Sequence, residues 1–408
     1  LMLIIEMDLQ WLLNGEIFTV KNKFKWQLIN DSVTDDDKKA LTDFINTPDQ
    51  RFTNGSKVKE FEQAWSDYLG CEYSVFVNSG ASANYIMASI MKEEKGLGEV
   101  IVSPLGWVSD VSPLVNLGFT PVFVDVCMEN MSITLENIKA AVTDKTVGVS
   151  LVHVLGFAAV SEELVQFCED NNLFFIEDCC ESHGATHKGT KVGNFGDVSN
   201  FSFYFGHHIT TIEGGMVCTN DEKLYDLAKL FRSHGMTREA SVQVQEHYER
   251  GRPDLNPLFT FAVPGYNFRN QEMNAVLGLE QLKRLDYNCD KRADNFATWM
   301  DNLDSNKFFT DFHQNGNSNF ALPLITLKKD LDLFEKCCIL LKKENVEFRV
   351  GTAGGGNQAR QPYLDKYKFI EHDLSNVDHI HDFGLYIGNH PELKTEDIIN
   401  LCEELNLL

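Results

Sequence analysis

Between residues 55 and 285, short runs of β-branched and aromatic residues alternate with longer stretches whose apolar positions recur at helical spacing. Strands joined by crossover helices produce that alternation, and they assemble into a mainly parallel sheet covered on both faces. Tyr73–Val77, Glu99–Ser103, Thr120–Val126, Val147–Val154, Phe174–Asp178, Val198–Tyr204 and Met216–Thr219 are the seven strands this predicts. Helical periodicity is clearest in Lys57–Leu69, Ala83–Glu93, Leu135–Val142, Ser161–Asn171, Asp221–Ser233 and Gln271–Leu285. From about residue 287 a second alternation begins, with a helix near Cys289–Leu303, a strand at Asn319–Thr326, a helix from Leu331 to Glu344 and a strand at Val346–Val350. The expected organisation is an N-terminal segment (1–30), a large α/β domain (31–286) and a smaller C-terminal α+β domain (287–408).

Composition narrows the partners. A chain of 408 residues can bury a large core, and 36 basic against 60 acidic residues leave a formal charge of −24. Such a field repels phosphodiester backbones and anionic lipid heads, so neither nucleic acid nor a membrane surface is expected as a partner. A local pocket can still bind a small anion. Leu1 to Ile5 are apolar but Glu6 follows, without the basic leader of a signal peptide. The apolar stretch Val147–Val160 is interrupted by Ser150, His153 and Gly156 and falls short of the ~18 residues of a membrane span. A cytoplasmic location is the expectation. The ten cysteines include no C-x-x-C spacing, so reduced thiols are expected, with no metal site and no iron–sulfur cluster.

Three segments carry candidate chemistry. In Val77-Asn78-Ser79-Gly80-Ala81-Ser82-Ala83-Asn84, a strand runs through a small-residue turn into an apolar-faced helix. Amides at such a turn can hold a phosphate, although the same residues also serve as a plain connection. In Ile176-Glu177-Asp178-Cys179-Cys180-Glu181-Ser182-His183, an apolar strand ends in an acid with a second acid three residues on. Ligands of open α/β sheets lie beyond the carboxyl ends of strands, where Asp178 would stand, and a strand-end Asp can equally cap the next helix. The third segment, Phe201-Ser202-Phe203-Tyr204-Phe205-Gly206-His207-His208-Ile209-Thr210-Thr211-Ile212-Glu213-Gly214-Gly215, places two adjacent histidines after an aromatic strand. Neighbours in extended backbone point opposite ways and cannot readily share a metal ion, so one histidine is expected inward and one outward. Either could be a core residue or a general acid or base. The aromatics at 201, 203, 204 and 205 fit core and cavity wall.

In this order the segments resemble the DegT, DnrJ, EryC1 and StrS sugar aminotransferase family, fold-type-I proteins that use pyridoxal 5'-phosphate, over nearly the whole chain. The resemblance implies that Gly80, Ala81 and Ser202 bind the cofactor phosphate, that Asp178 pairs with the pyridine nitrogen, that Trp107 in Pro104-Leu105-Gly106-Trp107 stacks on the ring, and that Glu181 lies beside the ring hydroxyl. The family often has Thr or Ser where Ala81 stands, and Ser82 offers a substitute hydroxyl. Pro264-Gly265-Tyr266-Asn267-Phe268-Arg269 resembles the segment that reaches a neighbouring subunit's site, with Asn267 near the phosphate, which implies a homodimer with shared sites.

One departure redirects the chemistry. The family's Schiff-base lysine lies six residues before Glu-Gly-Gly, and here that position is His207. Imidazole cannot form the bond that an amine forms, and Lys188 and Lys191 sit in a preceding loop. The resemblance then extends to the subgroup of C3 dehydratases in which histidine replaces lysine. Phe231 through Asn267 contains no cysteine, which favours the branch without an iron–sulfur cluster, acting on GDP-4-keto-6-deoxymannose. For that branch the resemblance implies non-covalent pyridoxal or pyridoxamine 5'-phosphate, L-glutamate as amino donor, ammonia release, His207 as base and acid, and His234 as a second active-site histidine; for His234 a helix C-cap role beside Gly235 stays open. Arg269, Arg349 and Arg360 are the loop cations suited to a pyrophosphate, or to surface ion pairs. A nucleotide-sugar aminotransferase and a catalytically silent binding protein remain the alternatives.

Overall fold

The structure, a computed structural model, describes residues 24–30, 32–352 and 354–408; the N-terminal run Leu1–Ile5 and most of the expected 1–30 segment lie outside the described residues. Thirteen strands are present among the described residues: β1 (Tyr73–Val77), β2 (Glu99–Val102), β3 (Thr120–Phe123), β4 (Thr146–Val152), β5 (Phe174–Asp178), β6 (Thr186–His187), β7 (Thr190–Lys191), β8 (Val198–Ser202), β9 (Gly215–Thr219), β10 (Ala321–Ile325), β11 (Phe348–Val350), β12 (Ile370–Glu371) and β13 (Gly384–Gly388). The seven expected strands lie in one sheet of order β1-β9-β8-β5-β4-β2-β3-β12. All of its pairings are parallel except those of β9, which runs antiparallel to both β1 and β8. The sheet therefore has eight strands, because the C-terminal region adds the two-residue β12 alongside β3.

Strand lengths differ from expectation at one end. Ser103, Val154 and Tyr204 leave the ladder at the carboxyl edge, where side chains take over the backbone donors: Leu105 N bonds Ser103 Oγ at 2.9 Å and Tyr204 N bonds Ser202 Oγ at 3.3 Å. The turn chemistry at this edge opens the cleft. The helix Val108–Leu117 was not expected, since Pro113 sits inside it and interrupts an otherwise readable pattern. Gly80–Lys95 is the helix buried most extensively against the sheet, and Ser79 caps it by accepting from Ser82 N.

The C-terminal third forms a second, antiparallel sheet of order β10-β13-β11 with the helices Leu285–Asn302, Leu331–Lys343 and Thr395–Asn406. We propose that the chain divides at Leu285–Asn302, the helix that carries it out of the large sheet. Residues 24–30 belong structurally with this end: Trp26 Nε1 donates to Gly388 O at 2.9 Å, and Trp26 pairs with Val346. The described part of the expected N-terminal segment thus covers the small sheet.

Distant segments are tied by buried carboxylates. The helix Ser56–Leu69 begins at Gly55 with no side-chain cap of its own. Glu272 supplies one from the far side of the sequence, accepting from Gly55 N (2.7 Å), Lys57 N (2.9 Å) and Val58 N (3.0 Å). Because three otherwise orphaned amides depend on it, Glu272→Ala should cost about 1–2 kcal/mol, in the range of a lost helix cap, measured as a lowered midpoint in denaturant.

Candidate active site

The carboxyl edge of the large sheet brings most of the expected residues to one cleft. Gly80 opens its helix directly against Ser202 at the end of β8: a Cβ placed on Gly80 would stand 2.6 Å from Ser202 Cβ and 3.1 Å from Cys180 Sγ. Gly215 presses on the other side of this turn, within 2.7 Å of Gly80 N when given a Cβ. Free amides at a helix N-terminus beside a serine hydroxyl form a cradle that fits a phosphate. Ser82 does not replace the hydroxyl missing at Ala81, because its Oγ donates to Asn78 Oδ1 at 2.6 Å and lies 2.9 Å from Ser79 Oγ.

Asp178 ends β5 and is buried. Its Oδ2 accepts from Asn84 Nδ2 at 2.8 Å and Asn200 Nδ2 at 3.2 Å, and its Oδ1 from Cys180 N at 2.9 Å. No lysine or arginine pairs with it among the described residues. Glu181 accepts from Leu155 N at 2.8 Å, and burial, assisted by the charge of Asp178, pushes its carboxyl up to about 7. Trp107 is 60% exposed, with the Gly354 backbone packed against its ring. That loop is fastened by Gln358, whose Nε2 donates to Gly106 O at 2.9 Å and whose N donates to Pro104 O at 2.8 Å. Gly354 is thereby held over the turn that presents Trp107.

The two adjacent histidines do not part to opposite sides as extended neighbours would, because the backbone bends there and both rings pack beside His183 and Phe320. His208 is 1% exposed, and its Nε2 lies 3.0 Å from Ser318 O. His207 is half-buried with Nδ1 unpartnered, its ring 5.4 Å from that of Phe320 and 5.8 Å from that of His183. Burial pushes the His207 imidazole down to about 4, against the opposing pull of Asp178, and Arg292 adds to the lowering. Arg292 is buried and donates to the carbonyls of Phe320 (2.8 Å) and Asn389. His207 is therefore neutral at neutral pH. Lys188 and Lys191 are engaged away from it, with Lys188 on Glu162 at 2.7 Å and Lys191 on Tyr68 O at 2.7 Å.

Other expected residues lie outside this cluster. His234 and Asn267 are exposed; His234 has φ 62°, its N donates to Tyr266 O at 2.6 Å, and the neighbouring Ser233 pairs with Asn267. Arg269 is fixed through its backbone, which pairs with Val77 just before the Ser79 turn. The Arg360 guanidinium is taken by Asp378 (2.5 Å) and Asp382 (2.8 Å), and Arg349 faces Glu347. Phe201 and Phe203 are core, packed on Trp65, while Tyr204 is exposed. His153, Glu177 and Cys179 lie close enough to hold an ion, but Glu177 already accepts from Gly193, Phe195 and Gly196 N and pairs with His153, which fills a carboxylate's four acceptor positions.

Asn84 closes the first motif without an assigned role and Asn200 and Asp110 belong to none, yet periodicity holds a signal for each. Asn84 follows Gly80 by one helical turn, Asn200 shares the strand face of Ser202, and Asp110 lies one turn beyond Trp107.

The cleft agrees with the comparisons. A model of the DegT/DnrJ/EryC1/StrS aminotransferase family matches residues 32–406. The chain belongs to this family. It is 31% identical to the GDP-4-keto-6-deoxy-D-mannose 3-dehydratase of Yersinia pseudotuberculosis over 360 residues, covering 86% of this chain and 91% of the relative. The GDP-perosamine synthase of Escherichia coli O157:H7 is 29% identical over 361 residues, 87% of this chain and 90% of the relative. Among solved structures, the E. coli GDP-4-keto-6-deoxy-D-mannose-3-dehydratase with bound hydrated PLP aligns with a TM-score of 0.84 at 28% identity, covering 94% of this chain and 99% of that one. The protein is an enzyme of the pyridoxal phosphate-dependent sugar aminotransferase and dehydratase family, of the aminotransferase α/β fold, and its cofactor is pyridoxal phosphate. No helix of the described residues is long and apolar enough to cross a membrane.

A raised carboxyl in a folded protein keeps a proton that the unfolded chain releases. Between the ordinary value of 4.5 and about 7, Glu181 therefore contributes stability that is lost as pH rises. Over that interval the stability of Glu181→Gln should rise more steeply with pH than that of the parent protein, in paired denaturant titrations.

Proposed function

We propose that the protein is a C3 dehydratase of a nucleoside-diphosphate 4-keto-6-deoxyhexose, GDP-4-keto-6-deoxymannose being the best-supported substrate, with L-glutamate as amino donor and release of ammonia. The observation that carries the reading is His207: an imidazole that burial keeps neutral stands where the family has its Schiff-base lysine. The named relatives with this activity support it, and GDP-perosamine synthase keeps transamination as the second reading.

Gly80, Ala81 and Ser202 hold the cofactor phosphate in this reading, Trp107 covers one face of the ring, Asp178 receives the ring nitrogen and Glu181 lies beside the ring hydroxyl. When bound in its amine form, the cofactor supplies a nitrogen for the C4 ketone and a ring that accepts electrons. His207 takes the proton made acidic by that ring and, now an imidazolium, delivers it to the departing C3 hydroxyl. With no amine at this position, the proton shuttle of transamination is missing. Asn267, His234 and Arg269 serve the site from the surface that meets a second copy in a homodimer. Arg360 contributes to substrate binding only by releasing Asp378 and Asp382, so Arg269 is the better candidate for the pyrophosphate.

His207→Asn should lower 3-deoxy ketone formation from GDP-4-keto-6-deoxymannose and glutamate at least about a thousandfold, the scale of general acid and base catalysis, while pyridoxal phosphate binding stays within about threefold. Chromatography of the sugar products with ammonia release checks it. Retained turnover would remove His207 from the proposed role, and an amino-sugar product from the parent enzyme would favour transamination.

A further inference from the structure

The helix that begins after Trp107 brings a third acid to Asp178 and Glu181. Asp110 is 8% exposed and lies in the first turn, its N bonded to Trp107 O at 3.0 Å. Its side chain folds back beneath the turn, since a Cβ on Gly106 would collide with Asp110 Oδ2. Asn84 links this turn to β5, with Nδ2 2.8 Å from Asp178 Oδ2 and 3.5 Å from Ser109 Oγ. Asp110 itself lies within hydrogen-bonding reach of Asp178. The titratable groups that face it are Asp178 and Glu181 from β5 and the loop after it, the Cys180 thiol, and Tyr363 from the turn Pro362–Lys366. No cation pairs with either aspartate among the described residues.

Two carboxylates this close cannot both be ionised without a counter-charge. Three amide donors already stabilise Asp178 as an anion, whereas Asp110 has one backbone donor, so the proton belongs on Asp110. Burial and the neighbouring carboxylates raise Asp110 well above the ordinary range.

We propose that Asp110 is a positioning residue: its carboxylic acid hydrogen donates to Asp178 and holds that carboxylate in the orientation that receives the cofactor's ring nitrogen. Asp110 acts through Asp178 and moves no proton in the reaction. The inference rests on the reading of Asp178 as the ring-nitrogen partner, but the protonated acid itself can be observed without cofactor.

Two measurements test it. In the cofactor-free protein at neutral pH, the infrared carbonyl band of a protonated carboxylic acid should weaken in Asp110→Asn; an unchanged band would overturn the proposal whether or not cofactor binds. In equilibrium dialysis, the parent protein and Asp110→Asn, which keeps a donor, should prefer pyridoxamine phosphate over its 1-deaza analogue to a similar degree. Asp110→Leu should lose about tenfold of that preference, the scale of a hydrogen bond to a charged group, with Asp110→Ala read in its place if the leucine variant does not fold. Full preference in the donor-free variant would overturn the proposal. Failure of the parent protein to bind pyridoxamine phosphate, with the infrared band present, would instead count against the cofactor assignment of Asp178.

Discussion

A buried carboxylate surrounded by dipoles and without a cation is the constraint on which this cleft depends. Ionised groups removed from water are costly unless compensated, and Asp178 receives Asn84, Asn200 and the Cys180 amide, with no cation beside it among the described residues. Those donors make the anion tolerable while leaving its charge unpaired. In the function proposed above, a protonated pyridine ring would supply the missing positive charge, so that the same site would both bind the cofactor and keep it electron-poor. The parallel sheet serves this arrangement directly: β5 ends at Asp178, β8 at Ser202, and the helices after β1 and β2 deliver Gly80 with Asn84 and Trp107 with Asp110 to the same edge.

Around the cleft the backbone is held in conformations that side chains rarely adopt. Leu155, Ile212, His234 and Thr352 have φ of 51°, 69°, 62° and 43°. Three of the four are held through their amides: Leu155 N reaches Glu181, Ile212 N reaches Thr210 Oγ1 at 2.7 Å, and His234 N reaches Tyr266 O. Strain of this kind costs on the order of 1–3 kcal/mol per residue and persists only where the surroundings enforce it.

The elements most legible in the sequence were those whose burial follows a simple period. Seven of the eight strands of the large sheet are readable as short runs rich in β-branched and aromatic residues, and the 201/203 face is readable as core from its alternation. The helix Val108–Leu117 was not, because Pro113 masks it, and β12 was not, because two residues carry no pattern. The partners of Asp178 were missed for a different reason: Asn84 and Asn200 are polar residues whose value appears only when helix and strand faces meet. Glu272, which caps a helix more than 200 residues away, is legible only in three dimensions. The ion pairs of Arg360 were hidden in the same way, since Asp378 and Asp382 lie on the helix Ser375–Phe383, beyond any local motif.

The account turns on the absence of a covalent anchor at the cofactor. Intact-mass spectrometry of the pyridoxal phosphate-loaded protein after borohydride reduction tests that most directly. The account predicts an unmodified mass, with the cofactor recovered in the small-molecule fraction and converted to its amine form by L-glutamate. A reduced adduct mapped to a lysine of the cleft would contradict it and return the enzyme to transamination.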